Sequence, residues 1–221
     1  MSRLKVFFLN RLHFLRMEEL ELTDQTVKEF EELFERYIKN GEGGLIEYNS
    51  KTPKHHFLNY LIENKGVLVH GSNHSAITTF EPREQSLFTG KSVKAVFASS
   101  DGVWSTFFAC IRREGYVGSL RNACLTASTK KGIRRYYYFS VNKEHKGDLW
   151  TEGTIYILSK ESFKQGGIKD EWICEEKVKP LAKLSVTPED FPFIEQVSRH
   201  NEKDSVLKTM FKVLLLNKVG A

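Results

Sequence analysis

Val67-Leu68-Val69-His70-Gly71-Ser72-Asn73 is the stretch on which the reading of this chain turns. Three apolar residues, two of them β-branched, give a short strand signal. The His-Gly-Ser that follows offers an imidazole, then a residue that permits close backbone approach, then a hydroxyl. Such an edge suits hydrogen bonding to a sugar hydroxyl or an amide. A strand that leaves the core through a glycine turn, with the histidine at the bend, fits the same residues.

Outward from this stretch, apolar spacing marks the helices. Phe30, Leu33, Phe34 and Tyr37 repeat at i, i+3, i+4, i+7, so one stripe of a helix faces inward, with Thr23 or Asp24 as its cap and Asn40-Gly41 as its stop. A second helix is expected over 54–64, with Phe57, Tyr60 and Leu61 inward. A third is expected over 102–112 on Trp104, Phe107, Phe108 and Ile111, and a last one over 204–217 on Leu207, Met210, Phe211 and Leu214. Strand character falls at Val67–His70, Lys94–Ala98, Arg134–Val141, Thr154–Leu158, Glu171–Cys174 and Val178–Val186. Tyr136-Tyr137-Tyr138-Phe139 is a run of aromatics that suits a strand. Strands and helices do not alternate regularly, which disfavours a doubly wound parallel sheet and points to an α+β fold.

The chain has 221 residues, 40% apolar and 28% charged, with 16 Phe, 8 Tyr and 3 Trp, which is core material enough to exclude a disordered chain. At this length folding buries roughly 70% of the surface exposed by the unfolded chain. One domain over 1–221 is expected: an N-terminal helical layer at 1–66, a core at 67–186 and a C-terminal helical segment at 187–221. Cys110, Cys124 and Cys174 are odd in number and widely spaced, so they read as buried free thiols and not as a disulfide frame or a zinc knuckle. His70 and His74 lack the intervening Glu of a zinc-protease helix, so no metal is expected. Val6–Leu9 is too short an apolar run for a leader or a membrane helix, and the cytoplasm without membrane attachment is the default location.

Charge is uneven. Between Arg112 and Lys146 nine basic residues face only Glu114 and Glu144, a local charge of +7 in a chain whose total is +5. Such a block attracts a phosphate-bearing ligand or serves as a solvated strand pair. GxxG strings at Gly41–Gly44 and Gly115–Gly118 lack a KH-domain setting, and no RNP-type strand accompanies them.

Two further segments join His70-Gly71-Ser72 in a fixed order. Ala95-Val96-Phe97-Ala98-Ser99-Ser100-Asp101 runs into the helix of Trp104, Phe107 and Phe108, and Asp170-Glu171-Trp172-Ile173 starts a strand with a carboxylate at its tip. Phe80-Glu81-Pro82-Arg83, Gly153–Leu158 and Val178-Lys179-Pro180 complete the pattern. Over 67–186 the order resembles the ADP-ribosyltransferase superfamily, in the His–aromatic–Glu arrangement of its diphtheria-toxin and poly-ADP-ribose-polymerase branch. The resemblance implies a split β-sheet core with flanking helices and NAD as substrate, with transfer or hydrolysis of ADP-ribose and loss of nicotinamide.

Carried over residue by residue, the resemblance implies that His70 holds a ribose hydroxyl and that Gly71, with Ser72 beside it, grips the nicotinamide amide through its backbone. Phe97 or Phe107 would stack on the nicotinamide ring. Glu171 would be the catalytic carboxylate, stabilising positive charge as the glycosidic bond breaks. Arg83, or part of the basic block, would pair with the pyrophosphate. Phenylalanine stands where the family usually has tyrosine, and no Glu-x-Glu pair is present at Glu171. Adjacent strand residues point to opposite faces, so Asp170 and Glu171 do not both line one pocket, and Glu175 and Glu176 remain rivals. A catalytically silent nucleotide-binding module and an RNA 2′-phosphotransferase-like enzyme are the alternatives, with a protein or a nucleic acid as the acceptor.

Overall fold

Gly71 and Gly153 sit where a helix presses onto a sheet, and that contact organises the larger of two compact units in this α+β chain. The structure, a computed structural model, describes all residues except 1, 13, 18–20, 130–131, 206–207 and 210–221. The larger unit comprises Leu20–Arg112 and Trp150–Pro192; the smaller comprises Met1–Glu19, Arg113–Leu149 and Phe193–Ala221. Numbering along the whole chain, the larger unit holds helices α2 (Asp24–Tyr37), α3 (Lys54–Asn64) and α4 (Gly102–Cys110). Its strands are β2 (Gly44–Leu45), β3 (Val67–Ser72), β4 (Arg83–Ser86), β5 (Ser92–Ser99), β8 (Gly153–Ser159), β9 (Lys164–Gln165), β10 (Glu171–Cys174) and β11 (Ala182–Val186). The smaller unit holds α1 (Ser2–Arg11), β1 (Leu15–Arg16), β6 (Leu120–Thr129), β7 (Gly132–Asn142) and β12 (Ser198–His200).

The sheet of the larger unit runs β2-β11-β8-β3-β5-β10-β9, with β4 paired to β5. Its shortest pairing is between β3 and β5. β3 and β8 share six register pairs from Val67↔Ser159 to Ser72↔Thr154, whereas β3 and β5 share one, Val69↔Ser99. β5 then pairs with β10 from Val96↔Cys174 to Ser99↔Glu171.

Alternation assigns the faces. Val67, Val69, Ile155, Ile157, Ala182 and Leu184 join the core shared with α2 and α3 residues Phe30, Phe57, Leu58 and Leu61. Leu68, Tyr156, Leu158, Val96, Ala98 and Cys174 form the opposite core with Phe80. β8 is buried on both faces, and Ile155–Leu158 supplies a large side chain to each face in turn.

Side chains cap the starts of two helices, whereas α4 stops at Cys110, short of the expected 112, with Ile111 in an isolated bridge to Trp150. Thr23 caps α2, its hydroxyl accepting from the Thr26 amide at 3.2 Å. Asp101 caps α4, accepting from the Trp104 amide at 2.7 Å. α4 is almost wholly buried, its Ser105 and Thr106 included, so it is a core helix and not an amphipathic one. A Cβ on Gly71 would lie 2.0 Å from the Ser105 carbonyl oxygen, and one on Gly153 would lie 2.0 Å from that of Ala109. Only glycine lets α4 approach β3 and β8 this closely.

One strand boundary differs from the expectation. The last strand of the larger unit begins at Ala182 and not at Val178, because Pro180 has no amide for a ladder. Val178 instead makes an isolated antiparallel bridge to Phe80. The helix expected over 204–217 lies mainly outside the described residues.

In the smaller unit β7 pairs with β6 in a ten-pair antiparallel hairpin, and with β1 and β12 as well. Tyr136, Tyr137, Tyr138 and Phe139 are all buried because both faces of β7 are covered. Tyr136 and Tyr138 pack with Leu9, Phe14, Ala123 and Ala127, while the Tyr137 and Phe139 rings stack 5.9 Å apart. All three cysteines are buried free thiols, and burial pushes the Cys110 thiol up to about 12.

Candidate functional site

His70 is half-buried in β3, just past the single pair that joins the two halves of the sheet. Its Nδ1 lies 2.7 Å from the Phe97 carbonyl oxygen of β5. A carbonyl only accepts, so Nδ1 carries the hydrogen and the neutral ring keeps a bare lone pair on Nε2. Burial lowers the His70 pKa below the ordinary histidine value; the Phe97 bond opposes this and the Arg83 charge adds to it. At neutral pH the ring is therefore uncharged, and its free nitrogen is an acceptor. Phe80 packs at 60° to the imidazole with centroids 4.7 Å apart, fixing its orientation.

The neighbours take other roles than those implied. Gly71 serves the close approach of α4. Ser72 Oγ accepts from the His74 amide at 3.1 Å, a turn contact that leads the chain off the strand. Phe97 is half-buried and meets His70 through its carbonyl oxygen. Arg83 is exposed on β4, opposite Ala95.

Two assignments are corrected. Phe107 is fully buried, with the rings of Phe108 at 5.4 Å and Phe191 at 5.5 Å, so it is a core side chain with no face left for a nicotinamide ring. Glu171 is 7% exposed and both its oxygens are engaged: Oε1 accepts from the Gly167 amide at 2.6 Å and Oε2 from the Phe88 amide at 3.0 Å. A Cβ on Gly166 would lie 2.6 Å from Oε1. The carboxylate thus ties the β4–β5 turn to the segment before β10 and has the surroundings of a structural clasp. Register adds a second reason. Val69, Ser99 and Glu171 form one row across three strands, so Glu171 shares their face; His70, one residue on, points to the other. His70 and Glu171 do not converge on one cleft.

Residues that the motifs did not single out lie on the His70 face. Trp172, paired with Ala98 in β10, is half-buried there, with Lys160 Nζ 4.2 Å from its ring centroid. Asp170 is 4% exposed and accepts from Ser100 Oγ at 2.9 Å. The adjacency Asp170-Glu171 was the available signal, since alternation sends one carboxylate to each face. Which one faces His70 depends on register, which the sequence does not carry.

The basic block does not act as one surface. Arg112 donates to the Trp150 carbonyl, and buried Arg121 donates to the carbonyls of Glu202 and Ser205 and to the Thr209 hydroxyl. Lys130 and Lys131 lie outside the described residues, whereas Lys143 and Lys146 are exposed. Two surface clefts of the larger unit, of 530 and 640 Å³, are lined by Phe34, Lys65 and Lys160 and by Glu29, Arg36 and Glu47 respectively; neither reaches His70. Among the described residues no group of three His, Cys, Asp or Glu side chains is placed to hold a metal ion. Among them, too, no helix is long and apolar enough to cross a membrane.

No protein-family model, curated protein or solved structure matches the chain.

Proposed function

We propose that this chain is an ADP-ribosyltransferase-like protein that binds NAD at the open end of the β3–β5 split, on the face of His70. The observation that carries the reading is the Nδ1–Phe97 bond, which turns Nε2 of a neutral, oriented imidazole into an acceptor at the point where the sheet divides. A ribose hydroxyl donates to such a nitrogen without a charge having to be buried. Arg83, exposed and electrostatically felt by His70, supplies a planar fork for a pyrophosphate. The expected reaction is loss of nicotinamide, with ADP-ribose passing to water or to a macromolecular acceptor.

A second reading is a silent nucleotide-binding module, and the specific observation in its favour is the engagement of both Glu171 oxygens. One experiment separates the two. NAD is titrated while tryptophan fluorescence is followed, and nicotinamide release is assayed in parallel. Saturable binding with release supports an enzyme, and saturable binding without release supports the silent module. Absence of binding at millimolar NAD sinks both.

A further inference from the structure

We infer that Ser100, backed by Asp170, is a second sugar-hydroxyl acceptor on the His70 face, and that Asp170 is the positioning carboxylate of this site in place of Glu171. The inference rests on the nucleotide reading above. Ser99↔Glu171 is the last ladder pair of β5 and β10, and the next residues outward are Ser100 and Asp170. The Ser100 amide donates to the Asp170 carbonyl at 3.2 Å, so the two strands stay together for one more residue. Alternation then puts both side chains on the face of Ala98, Trp172 and His70. The Ser100 Oγ to Asp170 Oδ1 bond of 2.9 Å shows the two on the same side.

The chemistry follows from which partner holds the proton. Ser100 spends its only O–H hydrogen on the carboxylate, so its oxygen has nothing but lone pairs for a ligand. His70 Nε2 is likewise an acceptor. Two acceptors on one face select a ligand with donor hydroxyls, as a ribose has, over the acceptor-rich edge of a carbonyl or a phosphate. From the Val69↔Ser99 pair, His70 and Ser100 are one strand apart and two residues along. Ordinary strand geometry makes that separation about 8 Å between Cα positions. Asp170, nearly excluded from solvent, polarises the Ser100 hydroxyl and lends the site negative potential through it. That potential favours the cationic sugar formed as the glycosidic C–N bond breaks. Both bonding electrons leave with neutral nicotinamide, the oxygen of water adds to the sugar carbon, and one proton passes to bulk solvent.

The test compares wild type with Ser100→Ala, Ser100→Thr and Asp170→Asn, each checked for an unchanged thermal melt. NAD affinity is read by tryptophan fluorescence and turnover by nicotinamide release. Loss of one such hydrogen bond weakens NAD binding about tenfold in Ser100→Ala, and Ser100→Thr restores it. Asp170→Asn keeps an acceptor for Ser100 but loses the charge, so affinity stays within about threefold while turnover falls about 100-fold. Ser100→Ala binding NAD like wild type overturns the acceptor role. Asp170→Asn turning over like wild type, or wild type that binds NAD but releases no nicotinamide, overturns the role of Asp170. If wild type does not bind NAD, the nucleotide reading itself has failed and this inference fails with it.

Discussion

The two halves of the eight-stranded sheet are held in different ways. On the β3–β8 side six register pairs and a buried helix fix the strands, and the helix rests on two glycines. On the β5–β10 side fewer pairs join the strands and a carboxylate clasps two backbone loops. His70 belongs to the first half and reaches the second through one bond, keeping one ring nitrogen without a partner; Glu171 belongs to the second and has each of its oxygens bonded to a loop amide. A buried polar residue with a backbone partner is thus available to a ligand only if its partners leave part of its hydrogen-bonding capacity unused.

The contrast breaks most sharply at Gly71. In Gly71→Ala the new methyl meets helix backbone at Ser105 and Ala109, which no rotamer change relieves. Upward of about 4 kcal/mol of stability is lost, measured by urea unfolding, or soluble protein is not recovered. An Ala variant within about 1 kcal/mol of wild type would show that α4 is not seated as described.

Acid acts next, through α3 on the same half. His55 is buried with both ring nitrogens unbonded, and its pKa is lowered to about 4, first by burial and then by the charge of His56, with Asp190 opposing. The folded value lies below the unfolded one, so the unfolded chain binds the proton first. Stability is fully present above about pH 6.5 and is lost as pH falls toward 4, by about 3 kcal/mol from this group. His55→Phe flattens that slope in thermal melts taken across the window. His56, His70 and His200 are also lowered and sustain a smaller slope. An unchanged slope in His55→Phe contradicts the assignment.

The clasp of the other half yields a smaller change. Glu171→Gln replaces an acceptor oxygen by an amide nitrogen that faces a backbone N–H, costing about 1–3 kcal/mol. Hydrogen exchange speeds up at the Phe88 and Gly167 amides while the β3–β8 amides stay protected. Protection unchanged at Phe88 and Gly167 would mean that the carboxylate does not hold the two loops.

Much of this contrast was legible in the chain. Helix α2 is marked by the spacing of Phe30, Leu33, Phe34 and Tyr37 and by a cap at Thr23 or Asp24, of which the fold uses Thr23, and β8 by the strand character of Thr154–Leu158. Local sequence carries such signals because they depend on spacing along one element. Phe107 misleads because the same helical stripe suits a core and a stacking platform alike. Glu171 misleads because the faces of β10 depend on its register with β5, a relation between residues far apart in the chain. The interleaving of two units is invisible for the same reason. Arg112 and Arg121 look like surface charge, yet both donate to backbone carbonyls that only the folded chain brings near.

The most direct test is the affinity of NAD for wild type, His70→Ala and Glu171→Gln, followed by tryptophan fluorescence. Wild type is expected to bind saturably, with a loss of about tenfold or more in His70→Ala and affinity near wild type in Glu171→Gln. Binding that survives in His70→Ala but is abolished in a folded Glu171→Gln would contradict the placement of the ligand on the His70 face.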